Sequence, residues 1–101
     1  MAKARQVVIE QLAAFELDQG RSWYESKRAG LGFEFAAEVD AAIDRIRESP
    51  EMYARHTKEY RQALVRRFPF AIYYEFRQGT VTIYSIFNCS QDPAKLDERL
   101  P

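Results

Sequence analysis

A chain of 101 residues is long enough for one small domain with a single core and too short for two independently folding units. Its 47% hydrophobic and 30% charged residues exclude intrinsic disorder, and its formal net charge of zero excludes a long-range attraction of the whole molecule toward nucleic acid. No apolar run matches a signal peptide or a bilayer span, and Cys89 as the lone cysteine excludes an intrachain disulfide and a thiolate metal cage, which predicts a soluble cytoplasmic protein with no metal or cofactor.

Gln6 to Ile9 is a short β-branched run that reads as a first strand. From about Ala13 the spacing turns helical: Ala13, Leu17, Gly20 and Tyr24 share one stripe, while Glu16, Asp18, Arg21, Glu25 and Arg28 fall mostly elsewhere. The segment Ala29-Gly30-Leu31-Gly32 supplies a helix stop near Gly30 and a tight reversal. Leu31, Phe35, Val39, Ala42, Ile43 and Ile46 then recur at intervals of three or four and predict a second amphipathic helix. Ser49-Pro50 ends it, because proline cannot donate a backbone hydrogen bond and pushes the preceding residue out of the helical region. Two helices joined by so short a loop form an antiparallel hairpin.

Beyond a polar connection from Glu51 to Glu59 the pattern becomes strand-like, with runs at Arg61 to Arg67, Phe70 to Arg77 and Thr80 to Phe87. Phe68-Pro69 separates the first two runs, and Gln78-Gly79 is a two-residue hairpin turn between the last two. Asp92-Pro93 reads as the N-cap and first position of a short helix through Arg99. The order β-α-α-β-β-β-α predicts an α+β fold, one domain over residues 1–101, with the N-terminal strand and helical hairpin packed on an antiparallel sheet.

Charge is uneven along this order. Residues 55–67 carry five basic groups and one acidic, whereas the segments on either side are net acidic. Arg55, His56, Lys58, Arg61, Arg66 and Arg67 therefore form a segment suited to phosphate, to an acidic partner or simply to solvent. His56 is the sole histidine and has no carboxylate cluster, second histidine or obvious orienting partner in its local sequence, which leaves it without the surroundings of a metal ligand or an oriented general base. No Ser/His/Asp arrangement or glycine-rich elbow surrounds Cys89 or Ser90. Half of the aromatic residues lie between positions 68 and 87. One helical hairpin covers one face of a sheet, so part of this set is expected to stay accessible on the other face as a partner site.

Several segments together resemble the ParE branch of the RelE/ParE superfamily, toxins of type II toxin-antitoxin systems that include plasmid stabilisation proteins. They are Trp23-Tyr24, Ala29 to Phe35 (AGLGFEF), the run RIRESP ending at Pro50, Arg66 to Tyr74 (RRFPFAIYY) and Gln91-Asp92-Pro93. The similarity covers almost the whole chain. It implies a toxin neutralised by a cognate antitoxin that lies across the sheet and the helical hairpin. Members of the superfamily differ in target: some cut messenger RNA on the ribosome, and ParE-like members act on DNA gyrase.

The chain departs from the ribonuclease pattern. Ala71 stands where those enzymes tend to carry arginine, no Tyr or His follows Tyr84, and the family's frequent H-x-x-R-D-P becomes NCSQDP, with Asn88 and Gln91. Amide side chains hydrogen-bond but do not exchange protons near neutral pH. The leading expectation is thus a toxin that works by binding, with gyrase as inferred target and Arg61, Arg66, Arg67, Tyr73, Tyr74, Asn88 and Gln91 as partner contacts. One alternative is a metal-independent, ribosome-dependent ribonuclease using Arg61, Arg66 or His56. Another is a weakened toxin relative serving as an antitoxin-binding or self-associating module. A homodimer and direct contact with nucleic acid both stay open at this point.

Overall fold

The computed structural model describes residues 5–101. Its elements are β1 (Gln6–Ile9), α1 (Gln11–Lys27), α2 (Leu31–Glu48), β2 (Arg61–Leu64), β3 (Phe70–Arg77), β4 (Thr80–Asn88) and α3 (Ala94–Arg99), in the expected order. The sheet runs β1-β4-β3-β2, with β1 parallel to β4 and the other neighbours antiparallel. The α1–α2 hairpin carries the chain from one sheet edge to the other, so β1 and β2 end up outermost.

Local chemistry accounts for most boundaries. The Ala14 N–H donates to the Glu10 carbonyl at 3.0 Å, so α1 starts directly after β1, two residues earlier than the apolar stripe suggests. In the reversal, the Glu25 carboxylate accepts the N–H groups of Gly30 and Gly32 at about 3 Å, which satisfies donors that the start of α2 would otherwise leave open. Gln78 and Gly79 take φ of 50° and 75°, the left-handed pair that a two-residue turn needs to match the twist of β3 and β4.

The strand expected through Arg67 stops at Leu64, because Arg67 adopts φ of 72° and the Val65 N–H closes a turn onto the Phe70 carbonyl at 2.9 Å. The terminal helix begins at Ala94 rather than Pro93, although the Asp92 carboxylate does accept the Ala94 N–H at 3.0 Å.

A bulge in β4 decides what faces where. Tyr73 pairs with Ser85 but Tyr74 pairs with Ile83, leaving Tyr84 as the extra residue. The side-chain alternation therefore inverts along β4. Val81, Ile83 and Ile86 join Phe70, Ile72, Tyr74, Phe35, Val39 and Ile46 in the main core between sheet and helices, whereas Phe87 turns to the opposite face beside Ala71 and Tyr73.

That opposite face is where the sequence-based expectation needs correction. Leu96 and Leu100, four residues apart at α3, pack on Ala71, Tyr73 and Phe87 and leave Tyr73 only 7% and Phe87 only 3% exposed. A six-residue helix suffices because the apolar strip that the bulge creates is this small. Of the aromatic set expected to stay partly accessible, Tyr73 and Phe87 are thus covered by the chain's own C-terminal segment, while Phe76 and Tyr84 are half-buried.

Candidate functional site

The residues singled out from the sequence divide into interior supports and accessible groups. Tyr74 is fully buried, and its hydroxyl donates to the Pro50 carbonyl at 2.6 Å. This bond ties the loop after α2 to the sheet, and burial pushes the phenol up to about 12. Tyr73 lies under α3, its phenol also shifted upward by burial. Arg61 spends its Nη1 on the carbonyls of Glu51 and Tyr53, at 3.1 and 2.7 Å, holding the same loop against β2. Tyr74 is thus wholly internal, and Arg61 is tied to the loop through its Nη1.

The basic segment is not one patch. Arg61 opens β2 and Arg66-Arg67 follow its end, so the strand, about 10 Å from its first Cα to its last, lies between them. Arg67 pairs with Glu34 at 2.7 Å and with Glu38 at 3.6 Å, both on α2. The Arg67 guanidinium holds the Glu34 carboxyl below its usual range. Arg66 is exposed and makes no such pair among the described residues. At the other end of the segment, Arg55 donates to the Lys58 carbonyl at 2.8 Å. His56 rests edge-on against Tyr73, and its Nε2 lies 3.8 Å from a carboxylate oxygen of Asp97. This carboxylate, from α3, lies beyond hydrogen-bond distance of the imidazole.

Asn88 and Gln91 do come together. They line an open cleft of ≈ 980 Å³ between α1 and the β4–α3 loop, floored by Phe70 and Ile86 and bordered by Pro69. From α1 the cleft receives Phe15, Gln19 and Trp23, four residues apart and so on one line of the helix. Phe15 and Trp23 are each 56% exposed, and the Lys27 ammonium lies 4.7 Å from the centre of the Trp23 ring. The cleft thus presents two accessible aromatic surfaces and the amides of Gln19, Asn88 and Gln91, with Asp18, Arg21, Glu16 and Arg99 also in its lining.

One end of the cleft is closed by Glu16, which the helical spacing had placed on the polar side of α1 but which is only 7% exposed. Its Oε1 accepts the Ser85 hydroxyl at 2.8 Å and the Ile86 N–H at 2.9 Å, and its Oε2 accepts Arg99 at 2.7 Å. Arg99 also reaches the Gln91 side-chain oxygen at 3.3 Å. Burial raises the Glu16 carboxyl above its ordinary value; the bonds to Ser85, Ile86 and Arg99 offset part of this rise. Glu16 and Arg99 thereby join α1, β4 and α3 at one point and hold the β4–α3 loop that carries Gln91.

Sequence reasoning missed Phe15, Glu16 and Arg99. For Phe15 a signal existed: it lies off the stripe of Ala13, Leu17 and Gly20, eight residues before Trp23, and an apolar pair off the buried stripe faces outward. For Glu16 and Arg99 there was none, since their meeting depends on the packing of α1, β4 and α3. Among the described residues, no group of three or more His, Cys, Asp or Glu side chains is placed to hold a metal ion. None of the described helices is long and apolar enough to cross a membrane.

The fold is shared with a solved structure. The chain superposes on one from P. aeruginosa described as a chromosomal ParDE TA system with a TM-score of 0.72 and 14% sequence identity, over 84% of this chain and 96% of that one. At this identity the likeness establishes the fold. No family model matches the chain, and no curated protein matches it.

Proposed function

We propose that this protein is the toxin of a type II toxin-antitoxin pair, that it acts in the manner of ParE by binding, and that a cognate antitoxin neutralises it. The likeness in fold to a ParDE structure supports this reading, as do the sequence segments that resemble the ParE branch. The observation that carries it is the make-up of the cleft. Asn88 and Gln91 offer amides, and Phe15 and Trp23 offer accessible aromatic surface. Amides and accessible rings hold a polypeptide through backbone hydrogen bonds and ring contacts, and the buried carboxylate of the cleft, Glu16, is spent on Ser85, Ile86 and Arg99.

On this reading Asn88, Gln91, Phe15, Trp23 and the exposed Arg66 contact the partner, with Arg67 beside them. Arg61, Tyr73 and Tyr74 act by shaping the sheet and loop. DNA gyrase is the inferred target, and the protein works in the cytoplasm.

A second reading, a metal-independent ribonuclease acting on translated messages, draws on one observation: His56 lies beside the Asp97 carboxylate and the Tyr73 ring. Expression with and without the neighbouring antitoxin gene decides between them. Growth arrest with gyrase-dependent DNA breaks and uncut messages is the expected result. Message cleavage that disappears on His56→Ala or Arg61→Ala favours the enzyme, and harmless expression without antitoxin favours a binding module that has lost toxicity.

A further inference from the structure

The two edges of the sheet are treated differently. At β2 the chain covers its own edge: Arg55 bridges Arg61, and the Gln62 N–H donates to the Ala54 carbonyl at 2.9 Å. At β1 no strand lies beyond Gln6–Ile9 among the described residues. The sequence of β1, Gln-Val-Val-Ile, contains none of the lysines, prolines or bulges by which proteins commonly blunt a sheet edge. Val8 and Ile9 there are 37% and 42% exposed.

We infer that this edge pairs with the same edge of a second copy of the chain, antiparallel about a two-fold axis through Val8. The Glu10 N–H bonds to the Ile83 carbonyl in β4 at 2.9 Å. Strand alternation then directs the N–H and C=O groups of Val7 and Ile9 to the open side. A two-fold pairing that uses these groups has two nearby registers. With Val7 on the axis, Arg5 opposes Ile9 and Gln6 opposes Val8, setting charge and amide against apolar groups.

With Val8 on the axis, Val7 opposes Ile9 of the second copy and exchanges both backbone hydrogen bonds with it, while Val8 meets Val8. Gln6 then opposes Glu10, an amide donor facing a carboxylate, on each side of the axis. The strand thus complements itself in one register, which is the requirement for a two-fold interface. Gln6, Val8 and Ile9 are exposed at this edge, and α1 packs over β4. The product is one continuous eight-stranded sheet with both helical hairpins on the same face. This pairing lies away from the cleft proposed for the partner.

The test is the mass of the purified full chain by light scattering over a concentration series, with variants chosen at the axis. The wild type is expected to dimerise. Val8→Lys places two ammonium groups face to face and is expected to weaken the dimer about tenfold or more. Ile9→Pro removes only an outward N–H and is expected to give a monomer with an unchanged circular dichroism spectrum.

Gln6→Lys creates two pairs with Glu10 and is expected to tighten association several-fold, an effect no folding defect can mimic. In a Cys89→Ser background, Val8→Cys is expected to form a disulfide across the axis, where opposed Cα atoms lie about 4.5 Å apart, much faster than the exposed control Phe33→Cys. A wild type that stays monomeric throughout, a dimer indifferent to Val8→Lys and Ile9→Pro, or cross-linking of Val8→Cys no faster than the control overturns the proposal.

Discussion

Glu16 shows how a charged side chain can be structural. Its carboxylate is the partner of a buried hydroxyl and a buried backbone N–H from β4 and of an arginine from α3. Glu16→Ala leaves those donors unpaired and is expected to cost about 2–3 kcal/mol in urea denaturation. Glu16→Gln keeps an acceptor and is expected to cost less. Since burial holds the folded carboxyl above the ordinary value of 4.5, its protonated form favours folding. That contribution is fully present below 4.5 and is lost as pH rises through the folded value, so wild type should gain on Glu16→Gln when urea midpoints are compared in mild acid and at neutral pH.

Tyr74 is the alkaline counterpart. One tyrosine is expected to ionise only at about 12 in a spectrophotometric titration, and the stability tied to its neutral form should decline from 10.0 upward through that value. Tyr74→Phe, which strands the Pro50 carbonyl, is expected to lower stability by about 1 kcal/mol at neutral pH and to remove the late-titrating phenol.

The elements meet at close range where α1 crosses α2. A Cβ on Gly20 would lie 2.7 Å from the Cε2 of Phe35, a core ring with no exposure. Alanine would be the better helix former by about 1 kcal/mol, yet the overlap with a packed ring is expected to outweigh that gain. Gly20→Ala should therefore lose about 1–2 kcal/mol by urea denaturation, the opposite sign from an exposed helical glycine. The packing also explains why α1 is less amphipathic in sequence than α2. One face of α1 must offer Ala13, Gly20 and the acidic Glu16 to its neighbours, and another offers Phe15 and Trp23 to the cleft.

At the scale of the molecule, the bulge in β4 and the helix α3 jointly determine which surfaces are left for partners. They bury the outer aromatic strip, whereas Phe15 and Trp23 at the α1 cleft stay accessible. If the cleft seats the antitoxin, Trp23→Ala and Gln91→Ala should each weaken antitoxin binding by about tenfold or more in calorimetry while leaving the melting temperature nearly unchanged. Arg61→Ala should do the reverse, lowering the melting temperature by releasing the Glu51 and Tyr53 carbonyls with little effect on affinity. Equal affinity of the Trp23 and Gln91 variants and the wild type would remove the cleft from the interface.

The sequence by itself determined the order of elements, the helical hairpin and the Gln78-Gly79 turn, because each is written in local periodicity or in a turn dipeptide. It also singled out Asn88 and Gln91, which line one cleft in the structure. Only the tertiary structure decided that β1 joins the sheet parallel to β4, that Arg61 and Arg67 are engaged within the chain, and that Tyr73 is covered while Phe15 and Trp23 are not. The reason is physical: each of these outcomes depends on contacts between residues far apart in sequence. The pairing of Glu16 with Arg99 across 83 positions is the extreme case.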